Sequence, residues 1–215
     1  MAPTTTHETE TRRNLAQHWK LADRDTRREM IVEVAFRMLQ DDGEEAVTIR
    51  RIAGSLGVGA MTLYTYVDGL EDLHRRIIAR GFEIIHANCS SACDQGRAHD
   101  DDWMPGARAY VRFAIENPNL YHLMFATPVD PDDEQFEQIM QGGFAGLHEA
   151  VRQRLTAAGL VGKALDTETC RAAGRYWIAL HGLATLAIAG RMQVLHGKLD
   201  DVLQHLVEAT APTRE

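Results

Sequence analysis

Gly57-Val58-Gly59 stops one apolar repeat of helical period and lets another begin, and no feature of this 215-residue chain restricts its fold more tightly. On the N-terminal side, Thr48 can cap a helix running to about Leu56, with Ile49, Ile52, Ala53 and Leu56 inward and Arg50 and Arg51 outward. On the other side a short helix is expected from about Ala60 to Val67, anchored by Leu63 and Val67 four residues apart. Gly57 can take the left-handed backbone that ends the first of the two, and Val58 fills the angle between them. Ala60, Met61, Thr62, Tyr64, Thr65 and Tyr66 are left on the remaining faces.

The rest of the chain also reads as helix. Thr26-Arg27-Arg28-Glu29 predicts a capping box, followed by Met30, Ile31, Val34, Ala35, Met38 and Leu39 at helical spacing up to a stop at Gly43. Asp68 and Glu71 are expected to cap a fourth helix carrying Leu73, Ile77, Gly81, Ile84 and Ile85. Ser90 to Asp102 turns polar and predicts a loop or break. Beyond it, helical segments near 103–116, 118–126, 132–158, 167–191 and 199–210 are separated by Asn117-Pro118, Pro128 to Pro131, Gly159 and Gly197. Strand-like alternation is absent, so the fold class is all-α, a small N-terminal bundle followed by a larger one. The expected boundaries are a mobile arm at 1–25, a domain holding these short helices at 26–85 and a second helical domain at 86–215.

Composition sets outer limits. No stretch approaches the roughly 20 apolar residues of a membrane span, and the polar start is unlike a secretion signal, so a cytoplasmic protein without a membrane partner is expected. Cys89, Cys93 and Cys170 are too few, and odd in number, for a disulfide framework. The net charge of −8 is unevenly spread: residues 1–80 carry 12 Lys and Arg against 13 Asp and Glu, and the remainder 11 against 18. The acidity therefore belongs to the second part and leaves room for a local basic face in the first, with weak general affinity for DNA.

Two short helices joined by a glycine-containing turn form a helix-turn-helix, whose second helix enters the DNA major groove. A tyrosine hydroxyl can bond a phosphate oxygen, while Thr62, Ala60 and Met61 offer a hydroxyl and methyl groups to base edges. Arg50 could fork onto a guanine. Packing of the tyrosines against neighbouring helices is the competing reading. Lys20, Arg24, Arg27 and Arg28, with Arg12 and Arg13, could track phosphates or the minor groove, although Glu8, Glu10, Asp23 and Asp25 lie among them.

"TIRRIAGSLGVGAMTLYTYVDGLEDL" resembles the DNA-binding domain of the TetR family of one-component transcriptional regulators, across about residues 26–85. The resemblance rests on Thr48, Ile52-Ala53, Gly57-Val58, Thr62-Leu63-Tyr64, Tyr66 and Glu71-Asp72 before Leu73. It implies DNA-facing positions at Thr48, Arg50, Gly59, Ala60, Met61, Thr62, Tyr64, Thr65 and Tyr66. One departure is Leu70, where the family usually places a lysine. Residues 103–205 are similar to the family's ligand-binding domain of the type named after a Trp-His-Gly signature, here Trp177, His181 and Gly182, with "ENPNLYHLMFATP" as a second characteristic segment.

The resemblance implies a homodimer joined through the last two helices, a double-stranded operator with inverted half-sites, a small effector, and most often repression. Ala173, Ala184, Ala187 and Gly190 would permit close helix approach, and Leu199, Val202, Leu203, Leu206 and Val207 give the final helix an apolar face. Trp103, Tyr110, Phe113, Tyr121, Met124, Phe125, Phe144, His148, Trp177 and His181 are candidates to surround a moderately apolar effector, although such residues are often simply core.

His86, Cys89 and Cys93 fall on one face if the fourth helix extends that far, a thiolate and imidazole set that suits zinc or copper, with His99 within reach. No fourth ligand follows at fixed spacing, and neither a metal nor another cofactor is expected. No nucleophile elbow, phosphate loop or HExxH motif is present. Two classes remain: a ligand-responsive DNA-binding regulator, and an all-α enzyme or small-molecule-binding protein whose helix-turn-helix is only structural. Exposure of Arg50, Thr62 and the tyrosines favours the first, and their burial the second.

Overall fold

A computed structural model of the protein describes residues 14–95, 103–126, 133–195 and 197–211. Every regular element among them is helical. None of these helices is long and apolar enough to cross a membrane. The chain divides into two compact units, one of residues 1–80 and 119–127, the other of 81–118 and 128–215.

The first unit contains α1 (residues 14–21), α2 (Arg24–Asp42), α3 (Ile49–Leu56), α4 (Ala60–Leu63), the start of α5 (Leu70–Gln95) and most of α7 (Pro118–Ala126). Its core consists of side chains at helical spacing, Ile31, Ala35 and Leu39 of α2, Ile52 and Leu56 of α3, Leu63 of α4, and Leu73 and Ile77 of α5, all without exposure. Gly43 ends α2 at φ +84°, its N–H bonded to the Leu39 carbonyl. Asn119 of α7 donates to the Gln40 carbonyl near that end at 3.2 Å.

Local rules place most of these boundaries, with two shifts. The cap of α2 is Asp23, whose carboxylate accepts from the Thr26 N–H at 2.8 Å, so the capping box expected at Thr26 starts three residues earlier. At α5 the expected partner Glu71 faces outward to Arg75, and it is the buried Asp72 that takes the Asp68 N–H at 3.0 Å and also holds Arg76.

The second unit holds the rest of α5, α6 (Met104–Glu116), α8 (Glu134–Ala157), α9 (Gly162–Ile188) and α10 (Leu199–Thr210), with α9 packed against α6, α8 and α10. Val151 and Leu155 of α8 and Leu165, Ala172 and Ala173 of α9 form one buried cluster, covered by Trp103, Leu147 and Leu160. Glycines let α8 approach α5: a side chain at Gly143 would collide with the Phe82 ring, and one at Gly146 with the His86 imidazole. Helix α5 continues to Gln95, so Ser90–Gln95 are helical and not the loop expected there; the rest of that segment lies outside the described residues. Helix α9 begins at Gly162, five residues before the expected start.

Candidate nucleic-acid interface and effector region

The helix-turn-helix is assembled by short-range bonds. Thr48 caps α3 by accepting the Arg51 N–H at 3.2 Å, and Gly57 closes it in the left-handed region at φ +70°, ψ +30°. The Val58 N–H returns to the Ala53 carbonyl and Gly59 caps α4. The second helix is shorter than the sequence predicts: α4 is regular only to Leu63, after which Thr65, Tyr66 and Val67 bond back to Thr62 and Leu63 in a tighter turn. Leu63 and Val67 are buried as expected.

What this frame leaves outside is a small set of contact groups. Met61 is 79% and Tyr64 52% exposed, large values for side chains of this size. Gly59, Ala60 and Thr65 are exposed, and Thr48 and Thr62 are partly so. Arg50 is exposed and makes no hydrogen bond or ion pair among the described residues, in contrast to Arg51, which is held by Asp42 at 2.6 Å and by the Ala46 carbonyl. Four groups with hydrogen-bonding or methyl character, Arg50, Met61, Thr62 and Tyr64, therefore remain available. Leu70 is 38% exposed.

Tyr66 departs from the expected DNA-facing position. Its ring meets Trp19 edge-on at 5.3 Å and its hydroxyl accepts from Arg27 at 3.1 Å, so it is half-buried in the domain's own packing. The arginines proposed to track DNA are engaged with the protein's own backbone as well, Arg27 and Arg28 partly buried and Arg24 still exposed. Arg27 also donates to the Trp19 carbonyl at 3.0 Å, Arg28 to the Tyr66 carbonyl at 3.1 Å, and Arg24 to the Thr65 carbonyl at 3.4 Å. Arg24 and Arg28 satisfy carbonyls at the end of the tight turn after α4, and Arg27 satisfies carbonyls in the last turn of α1, places where the backbone has acceptors to spare. Lys20 stays exposed, and Arg12 and Arg13 lie outside the described residues.

The sequence missed the helix at 14–21. It has no apolar repeat, yet Trp19 is only 6% exposed. One large aromatic ring docks the segment, a signal that periodicity cannot register. Residues 14–25 are thus helix and cap rather than a mobile arm.

In the second unit, four effector candidates come together. The Trp177 indole N–H donates to the Tyr110 hydroxyl at 3.1 Å, and that hydroxyl lies 3.4 Å from His181 Nδ1. Phe144 stands edge-on to Trp177 at 4.7 Å, and the Trp177 and His181 rings are 5.2 Å apart. Burial holds the His181 imidazole below its ordinary pKa, which favours a neutral ring able to accept or donate one hydrogen bond. Trp103 instead meets Tyr176 edge-on, its carbonyl accepting the Tyr176 hydroxyl at 3.2 Å. Phe113 is buried core, and His148 is exposed. Tyr121, Met124 and Phe125 belong to the first unit, where the Tyr121 and Phe125 rings pack at a tilt, 4.7 Å apart.

The extension of α5 does place His86, Cys89 and Cys93 on one helix. Burial pushes the Cys89 thiol up to about 12, with Cys93 adding to the shift, and its Sγ donates to the Gly106 carbonyl at 3.6 Å. A thiol held protonated and engaged with a carbonyl is a packing group rather than a ready ligand. His86 lies against Gly146, and no cluster of three metal-ligating residues occurs among the described residues; His99 is outside them.

Small residues of α9 are also used differently from expectation. Ala173 and Ala184 are buried inside the subunit, as are Leu203 and Val207 of α10. The open face of α9 carries Arg171, Ile178, Gly182 and Thr185, with Ile178 65% exposed and open space where a side chain would stand at Gly174 and Gly182.

Comparison with known proteins agrees with this architecture. Residues 103–210 match the model of the tetracyclin repressor-like C-terminal domain. An uncharacterized HTH-type transcriptional regulator of Mycobacterium tuberculosis is 33% identical over 165 residues, spanning 77% of this chain and 72% of that protein. A second such regulator, of Bacillus subtilis, is 28% identical over 92 residues, 43% of this chain and 48% of its own. Among solved structures, a protein of unknown function from Rhodococcus sp. RHA1 superposes with a TM-score of 0.71 at 20% identity, covering 85% of this chain and 92% of that one. A TetR family transcription regulator from Marinobacter aquaeolei VT8 does so at 0.56 and 19%, covering 88% and 97%. With a helix-turn-helix in its first unit and a matched C-terminal domain in its second, the chain belongs to the TetR family of transcription regulators.

Proposed function

We propose that this regulator is a homodimeric, ligand-responsive repressor that reads an inverted-repeat operator. The observation that carries the reading is the clustering of an exposed Tyr64 and Met61 with an exposed Arg50 that has no partner among the described residues, on the helix-turn-helix whose Ile52, Leu56, Leu63 and Val67 are buried. Thr62 and Met61 contact base edges, Tyr64 and the Thr48 hydroxyl bond phosphates, and Arg50 forks onto a guanine. Thr65, Ala60 and Gly59 allow close approach of the backbone. Twofold pairing through the open face of α9, with α10 beside it, sets two reading heads on one operator.

The effector is small and moderately apolar. Phe144 and Trp177 supply aromatic surface, while the Tyr110 hydroxyl and His181 supply two polar anchors that an entering molecule exchanges for its own hydrogen bonds. Its binding favours a dimer whose heads are wrongly spaced for DNA, so effector and operator affinities oppose each other reciprocally.

Selection of binding sites from random duplexes with the purified chain tests the reading. Enrichment of a two-fold symmetric sequence is expected, and Tyr64→Phe should weaken all enriched sites alike by about 1 kcal/mol, since one phosphate hydrogen bond is lost. Failure to enrich any sequence, or enrichment of a single unsymmetric half-site by a monomer, contradicts it.

A further inference from the structure

We infer that α1 is a brace for the reading head, with Trp19 and Arg27 acting as positioning residues for the turn that carries Tyr64 and Thr65. This deepens the DNA-binding reading above and rests on it.

Helix α1 is attached to the helix-turn-helix at two points. At the turn, a Cβ on Gly57 would stand 2.9 Å from Ala16 Cβ, so the two backbones are as close as the missing side chain allows. At the end of the recognition segment, Trp19 stands edge-on to Tyr66, and the Arg27 guanidinium lies 5.6 Å from the Trp19 ring centre. Arg27 joins both elements with one fork: Nε to the Trp19 carbonyl, Nη1 to the Tyr66 hydroxyl.

The need for a brace follows from the shortness of α4. Four regular residues hold few internal hydrogen bonds, and a helix of that length has almost no stability of its own. Among the described residues, the segment beyond it, Tyr64 to Tyr66, is tied by the back-bonds to Thr62 and Leu63, by the buried anchors Leu63 and Val67, and by α1 and the first turns of α2. Arg24 and Arg28 hold the Thr65 and Tyr66 carbonyls, whereas among the described residues the ring contact and the hydrogen bond to the Tyr66 side chain come from Trp19 and Arg27. Without that grip the turn samples more conformations, and each specific complex must bear the cost of ordering it.

The test uses the full chain with three substitutions, Trp19→Ala, Trp19→Phe and Arg27→Lys, read by two independent measurements. Amide hydrogen exchange without DNA is the first. Trp19→Ala is expected to speed exchange at Tyr66 and Val67 at least about tenfold while α9 amides, in the other unit, keep wild-type protection; Trp19→Phe retains most of the protection and Arg27→Lys, which keeps the charge but not the fork, loses part of it.

The second measurement is the preference for the selected duplex over a scrambled one, expected to fall about tenfold in Trp19→Ala with the salt slope unchanged, because no phosphate contact is removed. Unaltered exchange at Tyr66 and Val67, or unaltered preference despite faster exchange, overturns the brace. A reduced salt slope also overturns it, since it would mean that α1 touches DNA itself. If the wild-type chain selects no duplex, the DNA-reading assignment fails, and the brace fails with it; if it selects one and Trp19→Ala changes neither measurement, only the brace fails.

Discussion

Ile178→Asp is expected to split the proposed dimer and to lower operator affinity by about 100-fold or more. Ile178 is a large aliphatic side chain left 65% exposed in the middle of α9, flanked one and two turns away by Gly174, Gly182 and Thr185. Small neighbours let a second helix approach closely, and on a twofold axis each isoleucine meets the partner's copy of the same surface. Aspartate there would bring two like charges together out of water without partners. A monomer reads one half-site alone and forfeits the effective concentration that the second head supplies, commonly a factor of 10² to 10⁴. Sedimentation velocity and operator titration on the same sample check both halves of the expectation. A wild-type mass for the variant would move the interface elsewhere.

Gly57→Val is expected to destabilise the first unit by about 3 kcal/mol. A β-branched residue at φ +70° is strained by roughly 1–2 kcal/mol in the left-handed region, and the new Cβ also meets Ala16 Cβ at 2.9 Å. Urea unfolding followed by the fluorescence of Trp19 reads this unit, because Trp103 and Trp177 lie in the other and can be replaced by phenylalanine for the assay. The two causes separate in a double-mutant cycle: Ala16→Gly should recover the part due to contact and none of the part due to φ. A full-sized loss that Ala16→Gly does not reduce would mean that α1 is not docked at the turn.

Those two sites also mark the line between what sequence reveals and what it hides. Thr48, Gly57, Gly43, Leu63 and Val67 do what the sequence implies because caps, left-handed stops and i, i+4 anchors are set by residues within one turn of each other. The cap of α2 slips by three residues because Asp23 and Thr26 both satisfy the local rule, and the longer helix brings Arg27 within its first turn, where it reaches Trp19 and Tyr66. Helix α1 is hidden for a related reason. Its single buried ring has no periodicity, and its partners lie 8 and 47 residues away in sequence.

At the DNA face, Arg50, Met61 and Tyr64 are exposed as helix geometry implies, whereas Tyr66, at a position equally open by local rules, is claimed by a tertiary contact. The effector region divides likewise: Tyr110, Phe144, Trp177 and His181 converge, but which of ten large side chains would do so depends on the packing of α6, α8 and α9. The small residues of α9 read worst. Ala173 and Ala184 look like contact residues for a partner because smallness is visible in sequence, while the direction a small residue faces is not.

The exposed reading face is tested most directly by the base preference of Arg50→Ala across single-position variants of the selected operator. Arg50 is the one arginine of α2 and α3 without a partner among the described residues: Arg24, Arg27, Arg28 and Arg51 are engaged as described above, and Arg37 pairs with Glu33 at 2.7 Å. The expected result is a loss of about 1–3 kcal/mol of discrimination at one base pair in each half-site, with preferences elsewhere intact. A uniform loss at every position would reduce Arg50 to a phosphate contact, and wild-type discrimination throughout would contradict the assignment of this face to DNA.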